Sequence, residues 1–371
     1  MKVIVLKNNL KEGVDSLGRL SPDGTSPLPI LKNFLLQTQE GKLVLSSTNL
    51  EVAITRRVSG KVIDEGGITI PTAIMSSLLS NLGAEKVELQ VDNTTLILKT
   101  DNYQAKIQGM KQEEFPLIPR IKNIQSQITL PANILLESIL FVLNAVHVGA
   151  VKPELRGVLF DFESGLLRVA GTDSFRLTEK TMYASDLEVG EFVSSKILVP
   201  AKTLYEVVRV FKNSGKKITM EFDETQVIFR DENAEVVSHL VGGEFPDYRA
   251  IVPKEAKTEV ALNKNDLIQA LKLTGSFADR LNEVRVVVKE KAKTLEVVSL
   301  SQIGENNYMI PAKIKGEAVE AVFNWRFLID GLKDLVSDTV VIKLAGDSRP
   351  VTITGEDDAS YLYLVMPIKA A

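Results

Sequence analysis

Apolar residues recur at helical spacing in six stretches of the chain. Positions i, i+3, i+4 and i+7 lie on one face of a helix, so each stretch predicts an amphipathic helix with one buried side. The apolar positions are Leu10, Val14 and Leu17; Met75, Leu78, Leu79 and Leu82; Leu135, Leu136, Ile139, Leu140 and Leu143; Leu204, Val207, Val208 and Phe211; Leu267, Ile268 and Leu271; Leu328, Leu332 and Leu335. A proline precedes three of these stretches, as is common at a helix start.

Short strand patterns separate the predicted helices. Apolar and β-branched runs flank Asp92-Asn93-Thr94, Asp223-Glu224-Thr225 and Gly346-Asp347-Ser348. Asp, Asn and Gly favour turns, so each of these segments predicts a hairpin between two strands. The order strand, helix, strands, helix, strands therefore occurs three times. We predict an α+β fold in which each third packs two helices on antiparallel sheets.

The chain also repeats itself at the level of sequence. Glu114-Phe115-Pro116 returns as Glu244-Phe245-Pro246, and strand-to-helix segments such as Gln127–Pro131 and Glu259–Asn263 are alike. A period of about 130 residues is longer than a solenoid unit of about 20–50 residues and matches a whole domain. We predict three tandem domains at 1–121, 122–253 and 254–371. The two halves of each third also resemble each other, which indicates a sixfold pseudo-repeat.

Composition limits the classes of protein that fit. The chain has 371 residues, 44% of them hydrophobic and 25% charged, with a net charge of −4 and no cysteine. These values are typical of a globular protein without disulfides or thiolate metal sites. The sequence contains no apolar run of the length that a membrane span needs, about 18–20 residues. We expect a cytoplasmic protein without a membrane partner.

Candidate catalytic chemistry is sparse. The two histidines, His147 and His239, stand apart from any motif for nucleophilic or metal chemistry, and phosphate-binding glycine motifs are missing from the sequence. The acidic run Glu356-Asp357-Asp358 lies between two strand patterns and favours an exposed turn over a metal site. Asp173 and Arg176 favour an ion pair in a loop. We predict no catalytic residues, no metal site and no cofactor.

Four stretches, spread over the full length, carry a family resemblance. They are Pro27–Leu31 with Asn33, Leu155–Phe160 with Thr172–Leu177, Gly243–Arg249, and Tyr363–Lys369. Together they resemble the bacterial DNA polymerase III β subunit, the replicative sliding clamp. The resemblance implies two chains paired head to tail into a ring of six similar domains. Twelve helices would line the hole, and the sheets would form the outside.

The resemblance implies double-stranded DNA as a partner, held without sequence preference. The polar faces of the helices would look into the hole, where basic residues attract phosphates and read no bases. The residues we assign to DNA contact are Lys11, Arg19, Lys152, Lys202, Arg209, Lys264 and Lys272. The implied localisation is the cytoplasm, in association with the nucleoid.

Ring closure implies a homodimer whose meeting surfaces are strand edges of domains one and three. The candidate segments are the strand around Tyr103–Met110 and the region Phe277–Leu300. Ile107 and Phe277 are the residues we assign to the apolar part of this interface. Pairing there would cover edges that otherwise aggregate.

A groove between domains two and three is implied as the site for short peptide motifs of the DNA polymerase III catalytic subunit, the clamp loader and repair proteins. The matching positions are Leu155, Thr172, Ser174, Phe175, Arg176, Leu177, Pro246, Ile251, Leu364, Met366, Pro367 and Ile368. Leu, Ile and Met would line an adaptable apolar slot. The family often has Gly-His where this chain has Ser174-Phe175, which leaves the preferred motif open.

Two other interpretations fit the same sequence. A clamp-like scaffold that binds partner peptides without closing a ring would share the three domains and the groove. An enzyme with an unrecognised site between domains would share the fold. The missing nucleophile, phosphate loop and metal ligands disfavour the enzyme, and the scaffold differs from the clamp in its assembly.

Overall fold

The structure is a computed structural model that describes residues 1–18, 20, 28–121, 123–163, 165–183, 188–189, 195–215 and 217–368. The chain divides into two compact units. Unit 1 comprises Met1–Leu136, Leu187–Val193 and Lys202–Leu240. Unit 2 comprises Glu137–Asp186, Ser194–Ala201 and Val241–Ala371.

Each third of the described chain has one strand, a helix, five strands, a helix and three strands, which confirms the predicted order. The first third has β1 (Lys2–Leu6), α1 (Lys7–Leu17), β2 (Asn33–Gln39), β3 (Lys42–Thr48), β4 (Val52–Val58), β5 (Gly60–Asp64), β6 (Gly67–Pro71), α2 (Thr72–Asn81), β7 (Lys86–Asp92), β8 (Thr95–Lys99) and β9 (Gln104–Gln108). The second has β10 (Ser126–Pro131), α3 (Ala132–Leu143), β11 (Gly157–Glu163), β12 (Leu166–Thr172), β13 (Arg176–Tyr183), β14 (Glu188–Val189), β15 (Ser195–Pro200), α4 (Ala201–Phe211), β16 (Lys217–Phe222), β17 (Gln226–Arg230) and β18 (Ala234–His239). The third has β19 (Thr258–Asn263), α5 (Lys264–Gly275), β20 (Glu283–Lys289), β21 (Thr294–Ser301), β22 (Gly304–Pro311), β23 (Lys313–Gly316), β24 (Val319–Asn324), α6 (Trp325–Leu332), β25 (Thr339–Leu344), β26 (Val351–Gly355) and β27 (Tyr361–Val365).

The helix starts follow the sequence signals. Pro71, Pro131 and Pro200 each end a strand, and a helix begins at the next residue. Asn263 caps α5 through its side-chain oxygen, which accepts hydrogen bonds from the amides of Asn265 and Asp266, and the side chain of Asn324 caps α6 in the same way. Such caps satisfy amides that have no partner within the helix.

One predicted helix is too long. The apolar spacing extends the last helix to Leu335, but α6 ends at Leu332. The amide of Leu335 donates a hydrogen bond of 3.2 Å to the carbonyl of Leu332 across a tight turn, and the side chain of Leu335 is still buried. The spacing therefore located the core contact correctly and the backbone incorrectly.

Unit 1 contains two antiparallel sheets, ordered β5-β1-β7-β8-β9 and β14-β10-β16-β17-β18-β4-β3-β2-β6. In the larger sheet, β18 of the second third pairs with β4 of the first third, from Ala234↔Arg56 to Ser238↔Val52. Helices α1 and α2 pack on each other; the stripe of α1 is fully buried, and in that of α2 Met75 and Leu79 are buried while Leu78 and Leu82 are half-buried. The hydroxyl of Ser76 donates to the carboxylate of Asp15 between them.

Unit 2 has the same kind of construction, with sheets ordered β15-β11-β12-β13-β27-β26-β25-β19-β23 and β22-β21-β20-β24. Here β13 of the second third pairs with β27 of the third, from Arg176↔Val365 to Lys180↔Tyr361. Helices α5 and α6 approach closely, since a Cβ on Gly275 would lie 2.5 Å from the indole of Trp325. The β13–β27 junction positions the candidate site.

Candidate functional site

The loop Thr172–Arg176 joins β12 to β13 and is fixed by its own side chains. The hydroxyl of Thr172 donates to the carbonyl of Arg176 (2.6 Å) and accepts from the amide of Ser174 (3.1 Å). The carboxylate of Asp173 accepts from the amides of Phe175 and Arg176, both at 2.9 Å. These bonds hold Ser174 at φ +76°, a left-handed conformation that disfavours any residue with a Cβ.

The side chain of Arg176 ties this loop to α6. Its guanidinium bonds to Asp173 (3.0 Å) and Asp330 (2.5 Å), and it lies 4.3 Å from the ring centre of Phe327. Burial acts to lower the pKa of Arg176, but Tyr363 and the two aspartates outweigh it and raise that pKa. Two carboxylates already hold the guanidinium, so its first role is to position the loop.

An apolar cluster, which we call the floor cluster, lies beside this loop. Its buried members are Leu159, Ala170, Leu177, Leu198, Tyr248 and Leu364, with Val241, Phe245, Val252 and Met366 partly buried against them. Leu177 and Leu364 are directly opposite each other in the β13–β27 ladder. Buried apolar side chains on adjacent strands give the site a rigid base.

The end of the chain completes the site. The amide of Met366 donates to the carbonyl of Phe175 (2.8 Å), and the amide of Ile368 donates to the carbonyl of Val322 (2.7 Å). Pro367, between them, is buried. The last described residues are therefore anchored on both sides, with Met366 packed against the floor cluster.

The structure divides the twelve predicted groove residues by accessibility. Ser174, Phe175, Pro246 and Ile251 are exposed, with Phe175 at 62%. The half-buried residues are Arg176, Met366 and Ile368, and the buried ones are Leu155, Thr172, Leu177, Leu364 and Pro367. A ligand would contact the first two sets, which we call the groove, while the buried set supports it.

The twelve predicted groove residues include neither Tyr248 nor Phe245, and both belong to this site. Their rings meet edge to face at 6.0 Å between centres, and Tyr248 covers the floor cluster. The hydroxyl of Tyr248 donates to Glu179, and burial is the main cause of the raised pKa of this tyrosine. The sequence indicated both residues, because they lie in the stretch Gly243–Arg249, which contains the repeated Glu-Phe-Pro.

The basic residues assigned to DNA differ in their surroundings. Lys202, Lys272 and Lys152 are exposed, and Lys11 is half-buried. Arg209 instead bonds to Glu206 and donates to the carbonyl of Asp15 (3.0 Å). The ammonium of Lys264 donates to the carbonyl of Leu335 (2.6 Å). Arg19 lies outside the described residues.

Acidic side chains share the helices with these cations. Glu12 and Asp15 are exposed on α1 with Lys11, Asp266 is exposed on α5 with Lys264 and Lys272, and Glu206 is on α4 with Lys202 and Arg209. Positive charge on the helices is therefore diluted, which favours weak phosphate attraction over tight binding.

The predicted interface residues lie at or next to sheet edges. β9 is an edge of the five-stranded sheet, but Ile107 on it is only 5% exposed and faces the core of unit 1. In the four-stranded sheet, β20 and β21 are interior and the edges are β22 and β24, so the predicted region Phe277–Leu300 contains neither edge strand. Phe277 is half-buried, and its ring lies 3.7 Å from where a Cβ on Gly304, the first residue of β22, would be.

The search for a metal site and for a membrane-spanning helix covers the residues that the structure describes. Within them, no group of three or more His, Cys, Asp or Glu side chains is arranged to hold a metal ion. The acidic run ends in Asp358, which accepts a hydrogen bond from the amide of Ser360 (2.9 Å) and pairs with Lys180 (3.3 Å) in a turn. In the same residues, no helix combines the length and apolar character of a membrane span.

Comparison with known proteins matches the whole chain. Family models of the DNA polymerase III beta subunit match consecutively: the N-terminal domain at residues 1–119, the central domain at 129–247 and the C-terminal domain at 249–369. The beta sliding clamp of Synechococcus elongatus is 28% identical, covering 100% of this chain and 99% of the relative.

Solved structures agree with the sequence comparison. The crystal structure of the DNA polymerase III beta subunit from Thermotoga maritima has a TM-score of 0.91 at 26% identity and covers 100% of both chains. That of the sliding clamp from Bacillus subtilis has a TM-score of 0.94 at 25% identity, again over 100% of both. The predicted fold of three tandem clamp domains is confirmed, and the chain belongs to the DNA polymerase III beta subunit family of bacterial sliding clamps.

Proposed function

We propose that this chain is the processivity clamp of a replicative DNA polymerase. Two copies pair head to tail into a closed ring, the ring encircles duplex DNA in the cytoplasm, and the groove tethers the polymerase catalytic subunit, the clamp loader and repair proteins. The observation that carries the proposal is the match of all three domain models in order over the full chain. The protein acts by binding, and we expect no catalytic turnover.

The helix faces support sliding without sequence readout. Exposed Lys202 and Lys272 and half-buried Lys11 offer phosphate contacts, while acidic neighbours on the same helices keep the attraction weak. Phosphate contacts carry no sequence information. A ring that encircles DNA needs only this weak attraction, since the closed ring of two chains prevents the protein from leaving the duplex.

Two strand edges support ring closure. β9 in unit 1 and β22 in unit 2 each end a sheet, and unpaired edges of this kind invite pairing with another chain. Leu300, Ile303 and Met309 stand exposed on or next to β22. A head-to-tail contact is heterologous and must close to avoid filaments, which a two-chain ring achieves.

The groove supports the recognition of short peptides. Half-buried Met366 packs against the rigid floor cluster. Exposed Phe175 and Ile251 are tied to it by backbone hydrogen bonds, Phe175 to Met366 and Ile251 to Tyr248. Aromatic and thioether side chains adapt to varied apolar partners. Several proteins that share one short motif could therefore use the same site in turn.

The test uses the topology of DNA. The clamp is loaded on nicked circular DNA, which is then either left intact or linearised, and the retained protein is measured after gel filtration. A ring stays on the circle and is lost from the linear ends. Equal loss from both templates, with a mass of one 40.8 kDa chain by light scattering, would instead indicate the scaffold that does not close.

A matched pair of variants separates the edge from general surface effects. Ile303→Asp puts a charge beside β22, and we expect it to shift the protein to single chains. Leu117→Asp makes the same change at another exposed position, in unit 1, and should leave the dimer intact. If both variants dimerise like the wild type, β22 is not at the interface.

A further inference from the structure

A cavity of about 310 Å³ lies in unit 2, next to the floor cluster. One part of its wall is apolar, formed by Tyr248, Val252 and Leu362. The other part is charged: it carries three cations, Arg168, Arg249 and Lys254, and one carboxylate, Glu179. A cavity of this size with both kinds of wall can receive a side chain that is apolar at its base and negatively charged at its tip.

The cavity continues the groove along one face of the sheet. Alternate residues of a strand face the same side, so Leu362 faces the side of Leu364, and Glu179 faces the side of Leu177. In the ladder Glu179 lies opposite Leu362, two rows from the Leu177–Leu364 row of the floor cluster. The cavity is therefore about 7 Å along the strands from the floor cluster, the span of two extended residues.

Tyr248 is the shared wall between the two spaces. Its ring belongs to the floor cluster on one side and lines the cavity on the other. Its hydroxyl donates to Glu179, the carboxylate in the cavity wall. The Glu179 charge is thus held by a hydrogen bond from the tyrosine.

The basic side of the cavity is held in place by carboxylates behind it. Glu163 bonds to both Arg168 (2.7 Å) and Arg249 (3.1 Å), and Arg249 also bonds to Asp161 (3.1 Å). Hydrogen bonds from Arg168 and Arg249 lower the pKa of Glu163, as expected where the local field is positive. Each guanidinium has five donors, so further N–H groups remain for an anion, and Lys254 adds an exposed ammonium.

We infer that this cavity is a second subsite of the groove, which binds an aspartate or glutamate side chain placed about two residues from the apolar part of a partner peptide. The inference rests on the proposed peptide-binding function. It follows from the continuity of the cavity with the groove across Tyr248 and from its three basic side chains. It adds a charge preference to a site that would otherwise select only apolar residues.

The test starts from peptides known to occupy the groove. Peptides are selected from a synthetic library on the full-length protein, and those that still bind Met366→Ala are discarded. Each is then extended at either end by Gly-Asp or by Gly-Asn, and binding is measured by fluorescence anisotropy. The two extensions differ only in charge.

We expect the aspartate extension at one end to bind about fivefold more tightly than the asparagine extension, as for a partly exposed charge contact. Lys254→Glu should abolish this preference. Lys257→Glu, an equal change of net charge at an exposed residue outside the cavity wall, should keep it.

Equal binding of the two extensions at both ends, or a preference that survives Lys254→Glu, would overturn the subsite. Either result leaves the groove itself intact, because the unextended peptides still require Met366. A library that yields no peptide sensitive to Met366→Ala would instead overturn the proposed groove, and the subsite with it.

Discussion

The loops Thr48–Val52 in unit 1 and Thr172–Arg176 in unit 2 have the same frame. In each, the first hydroxyl donates to the carbonyl of the fifth residue, at 2.9 and 2.6 Å. The second side chain accepts from the fourth and fifth amides. The third residue has positive φ, +77° at Leu50 and +76° at Ser174.

The neighbouring strands also correspond. The amide of His239, at the end of β18, donates to the carbonyl of Glu51 (3.3 Å). In the same way, the amide of Met366, after β27, donates to the carbonyl of Phe175. The surroundings then diverge. The cavity lined by the first loop measures about 10 Å³, which is room for about one water. The cavity of about 310 Å³ in unit 2 lies farther along the strands, and no residue of Thr172–Arg176 lines it.

The two copies of the Glu-Phe-Pro stretch follow the same division. Phe115 is 7% exposed in a cluster with Ile30, Leu31 and Leu35, so the first copy fills its own space. Phe245 is only half-buried and leaves the floor cluster accessible. The loop frame therefore belongs to the fold, and the two copies differ in the side chains around it, on which the proposed groove of the second copy depends.

The largest expected difference between the loops is in stability. Asp173→Ala removes the side-chain acceptor of two backbone amides and leaves the half-buried Arg176 with one carboxylate fewer, so we expect a loss of about 3 kcal/mol. Asn49→Ala removes the corresponding side-chain acceptor, which carries no charge, and should cost about 1–2 kcal/mol. Urea unfolding at fixed chain concentration measures both, with circular dichroism as the probe for unit 1 and Trp325, the single tryptophan, as the probe of unit 2. Equal costs would show that the Arg176 ion pair adds nothing.

A smaller difference is expected in peptide binding. Met366→Ala removes apolar contact from the groove and should weaken a groove peptide about tenfold, or ~1.4 kcal/mol, without changing the dimer. His239→Ala truncates the corresponding residue of the first copy and should leave the affinity unchanged. Fluorescence anisotropy measures both, and an equal loss in the two variants would contradict the division of roles.

The frame itself should respond equally in the two copies. Ser174→Gly and Leu50→Gly each relieve a left-handed backbone conformation and should each raise stability by about 0.5–1 kcal/mol. Leu50 is half exposed, so little packing is lost with its side chain. Differential scanning calorimetry compares the two variants. A gain in one copy and a loss in the other would mean that the loops are strained differently.

The smallest expected effect concerns pH in unit 2. Burial alone would raise the pKa of Asp358, but hydrogen bonds from Ser360 and the nearby Lys180 outweigh it and lower that pKa. A folded pKa below the unfolded one gives stability that is complete above the unfolded value of about 3.9 and is lost as pH falls through the folded value. Asp358→Asn should therefore reduce the acid-induced loss of stability seen by Trp325 fluorescence. An unchanged acid profile would contradict this role for Asp358.

Unit 1 should show the opposite sign at Glu221. Burial raises the pKa of this carboxyl in spite of its ion pair with Arg230. A folded pKa above the unfolded one disfavours folding at neutral pH, and the penalty is relieved as pH falls through the folded value. Glu221→Gln should therefore enlarge the acid-induced loss of stability measured by circular dichroism. A smaller loss would show that the ion pair dominates.

Local sequence patterns were enough for much of the fold. The helix spacing, the prolines before helices and the hairpin turns all depend on neighbouring residues, and the structure follows them at Leu10, Pro200 and Asp223. The groove residues were predicted from motifs that resemble a known family. Thr172 and Asp173 could be understood locally, because their hydrogen bonds are made within the loop.

The remaining features depend on contacts distant in sequence. Arg176 meets Asp330 and Phe327 only because β13 pairs with β27, which sequence spacing does not reveal. Lys264 was assigned to DNA contact, but its ammonium donates to the carbonyl of Leu335, a contact that sequence spacing does not reveal. The edge strand β22 lies after the predicted interface region in the sequence. Local sequence does not show this, because which strand is at an edge depends on the order of strands in the whole sheet.

The stoichiometry of peptide binding tests the central claim, that only one of the two loop frames carries a binding groove. Isothermal titration calorimetry of a groove peptide into the full-length protein should give one site per chain, lost in Met366→Ala and kept in His239→Ala. Two equivalent sites per chain, or binding lost in His239→Ala, would contradict it.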